Sequence, residues 1–233
     1  IGLLGWFVKK YDLEVLVSRT SWLLARMLYF DRQEKPSAQA LEFWQKAGME
    51  KKILEEKKNT KPFNFSDVVT FFPLGFNALN QGDEITLGGK KWRVEIGQGH
   101  APNHVTLWGL DCPIVFSGDQ IIPGISSNLG VYPTEPLLDT VGLWLESCNK
   151  FLTISKKEYL VLPGHKIPFY GLPIRLKQLI DNHVQAIERI KNKLSKEKCT
   201  AVDLFHPIFK RKISSKEYGL ALAEAVGHIN YFR

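Results

Sequence analysis

The sequence predicts an α/β protein with a helical C-terminal tail. Three observations support this. Short apolar runs in the middle of the 233-residue chain end in glycine turns, as strands do, and helical periodicity fills the chain before and after them. A break at Gly171-Leu172-Pro173 separates the mixed part, residues 1–173, from a helical C-terminal domain, residues 174–233.

Taken in order, residues 1–60 are predicted helical. Ile1 to Tyr11 has an apolar face ahead of Asp12, and Thr20 or Ser21 caps a helix running through Trp22, Leu23, Leu24, Met27 and Leu28. Ser37 caps another through Leu41, Phe43 and Trp44 to Gly48. Lys61 to Asn80, with Pro62, Pro73 and Gly75, is irregular and is a candidate flap. Glu84 to Leu87 and Lys91 to Ile96 form a hairpin across Gly88-Gly89, followed by strands at Val105 to Leu110 and Pro113 to Phe116. A helix over Thr134 to Lys150, apolar at Leu137, Leu138, Val141, Leu143 and Leu145, precedes a strand at Tyr159 to Leu162. The tail is then predicted as helices at Ile174 to Leu194, Thr200 to Phe209 and Ser214 to Phe232. With basic connections between its helices, a helix-turn-helix or winged-helix arrangement is one option for this tail.

Three segments place a metal-ligand side chain where a strand ends: Gly99-His100-Ala101-Pro102-Asn103-His104, Phe116-Ser117-Gly118-Asp119 and Leu162-Pro163-Gly164-His165. Strand ends are rigid platforms for ligands. Imidazole nitrogen and carboxylate oxygen suit zinc, iron or manganese, and no cysteine sits near these turns to supply thiolate, so an open catalytic site fits better than a closed structural one. His183 and His228, on otherwise helical apolar faces, are expected to be hydrogen-bonded core residues, whereas Lys166, Phe169 and Tyr170 come after His165 on the loop bordering the site.

These three segments resemble the metallo-β-lactamase fold superfamily, which includes glyoxalase II and lactonases and has an αββα sandwich. The matches are to its Gly-His-Thr-Pro-Gly-His, Ser/Thr-Gly-Asp and Pro-Gly-His segments. Asn103 replaces the usual glycine, a mild departure because asparagine also tolerates turn geometry. The resemblance implies that His100 ligates one of two divalent metal ions, Asp119 bridges both and orients a metal-bound hydroxide, and His165 ligates the second. It implies that His104 backs the ligands or faces the substrate, while Tyr170, by its place on the loop after His165, is a candidate to hydrogen-bond a substrate carbonyl or carboxylate, with a structural loop role the alternative. The implied activity is hydrolysis of an ester, thioester or lactone, with zinc the first choice of metal.

The superfamily's His-x-His-x-Asp-His run does not occur in the sequence, and the opening Ile1-Gly2-Leu3-Leu4-Gly5-Trp6-Phe7 resembles the helix start that ordinarily comes directly after that run. Ile1 is therefore expected to lie next to a missing Asp-His, making this the C-terminal portion of a longer protein; an upstream half never encoded or degenerated is the alternative. His100, Asp119 and His165 alone are expected to bind metal poorly, and the partial sandwich to expose apolar surface.

Composition narrows the classes. With 44% hydrophobic and 24% charged residues the chain can fill a core. Three scattered cysteines, Cys112, Cys148 and Cys199, argue against a disulfide framework and point to a reducing, cytoplasmic compartment. No apolar run approaches the ~18 residues of a membrane span. The net charge is +7, and the lysines gather at Lys51 to Lys61, interleaved with glutamates, and at Lys191 to Lys198 with Lys210-Arg211-Lys212. The second cluster keeps open an alternative in which the same metals serve an RNase or phosphodiesterase and the tail holds the phosphate backbone. A non-catalytic remnant or interaction module is the other alternative. Leu204, Phe205, Leu220 and Leu222 are candidates for a homodimer surface or for the tail's own core.

Overall fold

The computed structural model describes residues 2–71 and 73–233; Ile1 and Phe72, which belong to the predicted first helix and flap, lie outside them. The N-terminal third is helical: α1 (Leu4–Tyr11), α2 (Arg19–Phe30), α3 (Ala38–Lys46) and α4 (Lys51–Lys58), with a 3₁₀ turn at Phe65–Asp67. A two-residue strand β1 (Leu16–Val17) pairs in parallel with β2 (Asn77–Ala78), so the irregular segment is tied back to the start of α2.

The main sheet has five strands in the order β3 (Glu84–Leu87), β4 (Lys90–Gly97), β5 (His104–Gly109), β6 (Ile114–Gly118) and β7 (Leu160–Pro163). Pairing is antiparallel from β3 to β6, and β7 lies parallel to β6 after a crossover through α5 (Thr140–Ile154). The β3–β4 hairpin turns on Gly88 (φ +60) and Gly89 (φ +71), the left-handed pair such a two-residue turn requires. The tail comprises α6 (Leu172–Leu194), a 3₁₀ turn at Val202–Leu204, α7 (Phe205–Phe209) and α8 (Tyr218–Asn230), and no strand comes after β7 among the described residues.

Side chains alternate across a strand, so each face of the sheet has its own set. Trp108, Val115 and Val161 face Val141, Trp144, Leu145, Cys148 and Phe151 of α5 and Leu172, Leu176, Leu179 and Ile187 of α6, forming one core. The row Val94, Leu107, Phe116 and Leu162 runs in register across the opposite face, where Phe116 is 43% exposed. One sheet with helices over one face is the layering expected of half an αββα sandwich. A second core joins Ala47 and Met49, after α3, to Ile190 of α6, Leu204, Ile208 of α7 and Leu222, Ala225 and Val226 of α8. Leu204 and Leu222 are thus internal, Phe205 packs partly against this core, and Leu220 is exposed.

Several boundaries differ from expectation for local reasons. Helix α2 is capped by Ser18, whose Oγ accepts from the Ser21 N–H at 3.3 Å, because Thr20 and Ser21 direct their hydroxyls to the 102–103 turn. Helix α5 starts at Thr140 rather than Thr134. Asp139 caps it by accepting from the Gly142 N–H at 2.8 Å, Pro136 disfavours helix at the residue before it, and Asn230 Nδ2 donates to the carbonyls of Pro136 and Leu138. The predicted helix over Thr200 to Phe209 divides between Leu204 and Phe205 into a 3₁₀ turn and α7, because Pro207, in the first turn of α7, has no N–H to donate to the carbonyl four residues back at Asp203. Helix α8 begins at Tyr218 because Glu217 turns back to accept from the Ser214 hydroxyl at 2.6 Å and its N–H at 3.3 Å.

The three cysteines are unpaired thiols, and burial pushes that of Cys148 well above its usual range. No helix among the described residues is long and apolar enough to cross a membrane.

Candidate metal centre

The first ligand segment is the turn from β4 to β5, closed by the Gly97–His104 pair. Gly99 takes φ +95, and a Cβ there would overlap Trp144 Cβ and the Thr140 carbonyl, so glycine lets the turn lie directly on α5. Gly99→Ala is therefore expected to destabilise the protein by about 2–4 kcal/mol, the sum of left-handed strain and overpacking, read from urea unfolding midpoints. Asn103, at the glycine position of the resembled motif, does adopt φ +48. Its N–H donates to Gln98 Oε1 at 3.0 Å, its Nδ2 donates to Thr20 Oγ1 at 2.9 Å, and its carbonyl accepts from Ser18 Oγ at 2.7 Å. The first turn of α2 thus braces the loop that carries His100.

Asp119 and His165 meet because β6 and β7 are parallel neighbours whose C-terminal ends lie side by side, the Gly164 N–H donating to the Gly118 carbonyl at 2.8 Å. Both glycines are required by close approach. A Cβ on Gly118 would strike the His104 ring, and one on Gly164 would strike Asp119 Oδ1. Asp119 Oδ2 lies 3.7 Å from His100 Nε2 and 3.6 Å from His165 Nε2. Its other oxygen, Oδ1, is buried without a hydrogen-bond partner among the described residues, while the Ser127 hydroxyl holds its backbone carbonyl. The His100 Nδ1–H donates to the Asn128 carbonyl at 2.9 Å. That acceptor requires the proton on Nδ1 and leaves Nε2 on the side of Asp119.

His104 sits behind this pair, its ring 6.3 Å from that of His100. Burial first, and the neighbouring His100 second, hold its pKa below the ordinary value, so it is neutral at physiological pH. Tyr170 is 67% exposed just beyond the Val161–Phe169 bridge and has no hydrogen bond to the cluster. Lys166, immediately after His165, takes φ +72, an uncommon conformation for a non-glycine residue, in the loop that folds back so that Phe169 bridges to Val161 of β7. A cavity of about 710 Å³ lined by Leu3, Phe7, Val15, Leu16, Trp22 and Ala25 reaches Ser21 but is lined by none of His100, Asp119 and His165.

His183 and His228 lie elsewhere, stacked at 5.5 Å in the interior beside Trp144. His228 Nδ1–H donates to the Glu224 carbonyl at 2.9 Å, as a core histidine should, but neither ring nitrogen of His183 has a partner among the described residues. Gln98 and Asn128, which orient the His100 loop and ring, carried no sequence signal, since their acceptors and donors are distant in the chain.

The donor set fits a divalent cation in kind. Two imidazole nitrogens converge on one carboxylate whose second oxygen is buried and unpartnered. In number it is incomplete: among the described residues no group of three or more His, Cys, Asp or Glu side chains is arranged to hold an ion. The convergence is pairwise, about Asp119.

Residues 1–165 match the family model of the metallo-beta-lactamase superfamily. Among solved structures, a beta-lactamase domain protein from Burkholderia ambifaria is similar with a TM-score of 0.86 and 26% identity, over 99% of this chain and 65% of that one. A metallo-beta-lactamase family protein from Thermus thermophilus shares the fold at a TM-score of 0.76 and 20% identity, over 100% of this chain and 70% of that one. The chain spans about two thirds of the length of these relatives. No curated protein matches it.

Proposed function

The chain belongs to the metallo-beta-lactamase superfamily, and from that membership we propose that it is a metal-dependent hydrolase of an ester, thioester or lactone. The observation that supports this most directly is the convergence of His100 Nε2 and His165 Nε2 on one oxygen of Asp119. Two divalent ions, zinc before iron or manganese, would be held by His100 and Asp119 on one side and by Asp119 and His165 on the other. When bound they supply Lewis-acid activation of water and of the scissile carbonyl. The remaining coordination positions fall to water or other donors.

Each protein group then has a definable task. Asp119 would hold both ions and help to orient the attacking water, with Oδ2 the oxygen turned to both imidazoles and Oδ1 buried against Gly164. His100 is pre-set with Nε2 free by its bond to Asn128. Neutral His104 packs against Gly118 and fixes the entry of the Asp119 turn without adding positive charge. Lys166 and Tyr170, exposed on the loop after His165, are the side chains that can reach a substrate carbonyl or carboxylate from solvent.

The test is a chelator-stripped protein given excess zinc, iron or manganese in turn and assayed on a thioester, a lactone and an activated phosphodiester. Turnover of the carbonyl substrates that disappears with chelator is expected. Turnover confined to the phosphodiester, with binding that falls steeply as salt rises, would replace this reading by a nucleolytic one. Stoichiometric metal with no turnover of any substrate would leave an interaction module.

A further inference from the structure

We propose that Glu224 on the C-terminal helix is a positioning residue for His100, acting through Asn128 to hold the imidazole as its Nδ1–H tautomer with Nε2 toward Asp119. The link runs through Asn128, whose side-chain amide bonds Glu224 and whose backbone carbonyl bonds His100. Asn128 Nδ2 donates to Glu224 Oε2 at 2.8 Å, the Asn128 carbonyl accepts from His100 Nδ1–H at 2.9 Å, and His100 Nε2 lies 3.7 Å from Asp119 Oδ2. Glu224 is 96 residues from Asn128 in sequence and only 7% exposed. A carboxylate is rarely left in such a place without work to do.

The surrounding contacts show that α8 grips the segment carrying that carbonyl. The Val131 N–H donates to the Ala223 carbonyl at 3.0 Å, and Asn128 Nδ2 also reaches the Leu220 carbonyl at 3.2 Å. Gly227 allows the close approach, since a Cβ there would meet the Thr140 hydroxyl and the Leu129 carbonyl at 2.5 and 2.6 Å. The Thr140 hydroxyl in turn donates to that carbonyl at 2.7 Å. Residues 128–131 are therefore pinned between α5 and α8, and Glu224 is the closer of the two acceptors that hold the Asn128 amide, the other being the Leu220 carbonyl. Outer partners of a ligating histidine fix its tautomer and ring direction and typically change metal affinity 10–100-fold when lost.

This inference rests on His100 being a metal ligand, so the test includes a readout taken without metal. Long-range ¹H–¹⁵N spectra of histidine-labelled protein report the His100 tautomer, zinc titration by calorimetry reports affinity, and thermal melting checks the fold. In Glu224→Leu the Nδ1–H signature of His100 is expected to give way to a tautomer mixture, with zinc affinity lower by about 10–100-fold. Glu224→Gln, which keeps an acceptor for Asn128, should restore both to near wild type. If Glu224→Leu does not fold, Asn128→Ala cuts the same link while leaving the backbone carbonyl, and the same loss is expected. An unchanged tautomer and affinity in a folded Glu224→Leu or Asn128→Ala would overturn the proposal. A wild type with the Nδ1–H tautomer that binds no zinc would overturn the metal reading alone, and the tautomer change in Glu224→Leu would still uphold the positioning role.

Discussion

Asp119→Ala is expected to reduce metal-dependent hydrolysis by more than about 100-fold, beyond the 10–100-fold typical of losing an outer partner. Asp119 is the shared neighbour of His100 and His165, so its loss removes one donor from each side at once. Asp119→Asn, with one neutral carbonyl oxygen in place of the carboxylate, should fall between. The fold should be little affected. The carboxylate makes no hydrogen bond that stabilises the loop, since Oδ1 is unpartnered and the Ser127 contact uses the backbone carbonyl. A stability change within about 0.5 kcal/mol is therefore expected. Zinc stoichiometry, turnover and urea midpoints measured on the three proteins decide this, and wild-type turnover in Asp119→Ala would remove Asp119 from the mechanism.

The second large effect is on acid stability. Burial, with His228 as the next cause, drives the His183 pKa down to about 3, and burial takes His228 down to about 4. Both values lie below the ordinary 6.5, so between these limits the unfolded chain binds protons that the native state refuses. Stability is fully present above about pH 6.5 and is lost as pH falls toward 4. Glu224 works in the opposite direction. Burial pushes its carboxyl up to about 7, so the native state holds a proton that the unfolded chain has released, and this stabilisation is lost as pH rises from about 4.5 through 7. Between pH 4.5 and 6.5 two imidazoles oppose one carboxyl, a net of one proton from this cluster, or about 1.4 kcal/mol per pH unit. His183→Leu removes one imidazole and should flatten that component to near zero. Because neither His183 nitrogen has a hydrogen-bond partner among the described residues, the apolar replacement should also raise stability below neutral pH. Urea unfolding of both proteins from pH 4.5 to 7.5 reads the difference in slope, and parallel curves would show that His183 does not titrate in this range.

Much of the candidate centre was legible because its candidate ligands sit at strand ends. A strand followed by a glycine and a polar residue is a local pattern, and His100, Asp119 and His165 were each marked by it. Their meeting could be read as well, since three C-terminal strand ends of one sheet lie at a common edge. Tyr170 was legible only as a loop residue, and its exposure is a matter of how the chain bridges from Val161 to Phe169. The helix over Thr134 to Lys150 was displaced because its true start depends on Asn230, which is 94 residues from Pro136.

By itself the sequence determined the α/β class, the hairpin and strand series, the helical tail and the three turns that carry His100, Asp119 and His165. All of these arise from periodicity, turn chemistry and side-chain type within a few neighbouring residues. Tertiary structure alone decided that the first turn of α2 braces the His100 loop, that α3 shares a core with α7 and α8, and that Glu224 reaches His100 through Asn128. Those are pairings between residues some 80 to 180 positions apart. The reason is physical: a hydrogen-bond acceptor or an apolar face specifies only that a partner must exist, and the packing of the whole chain decides which one it finds.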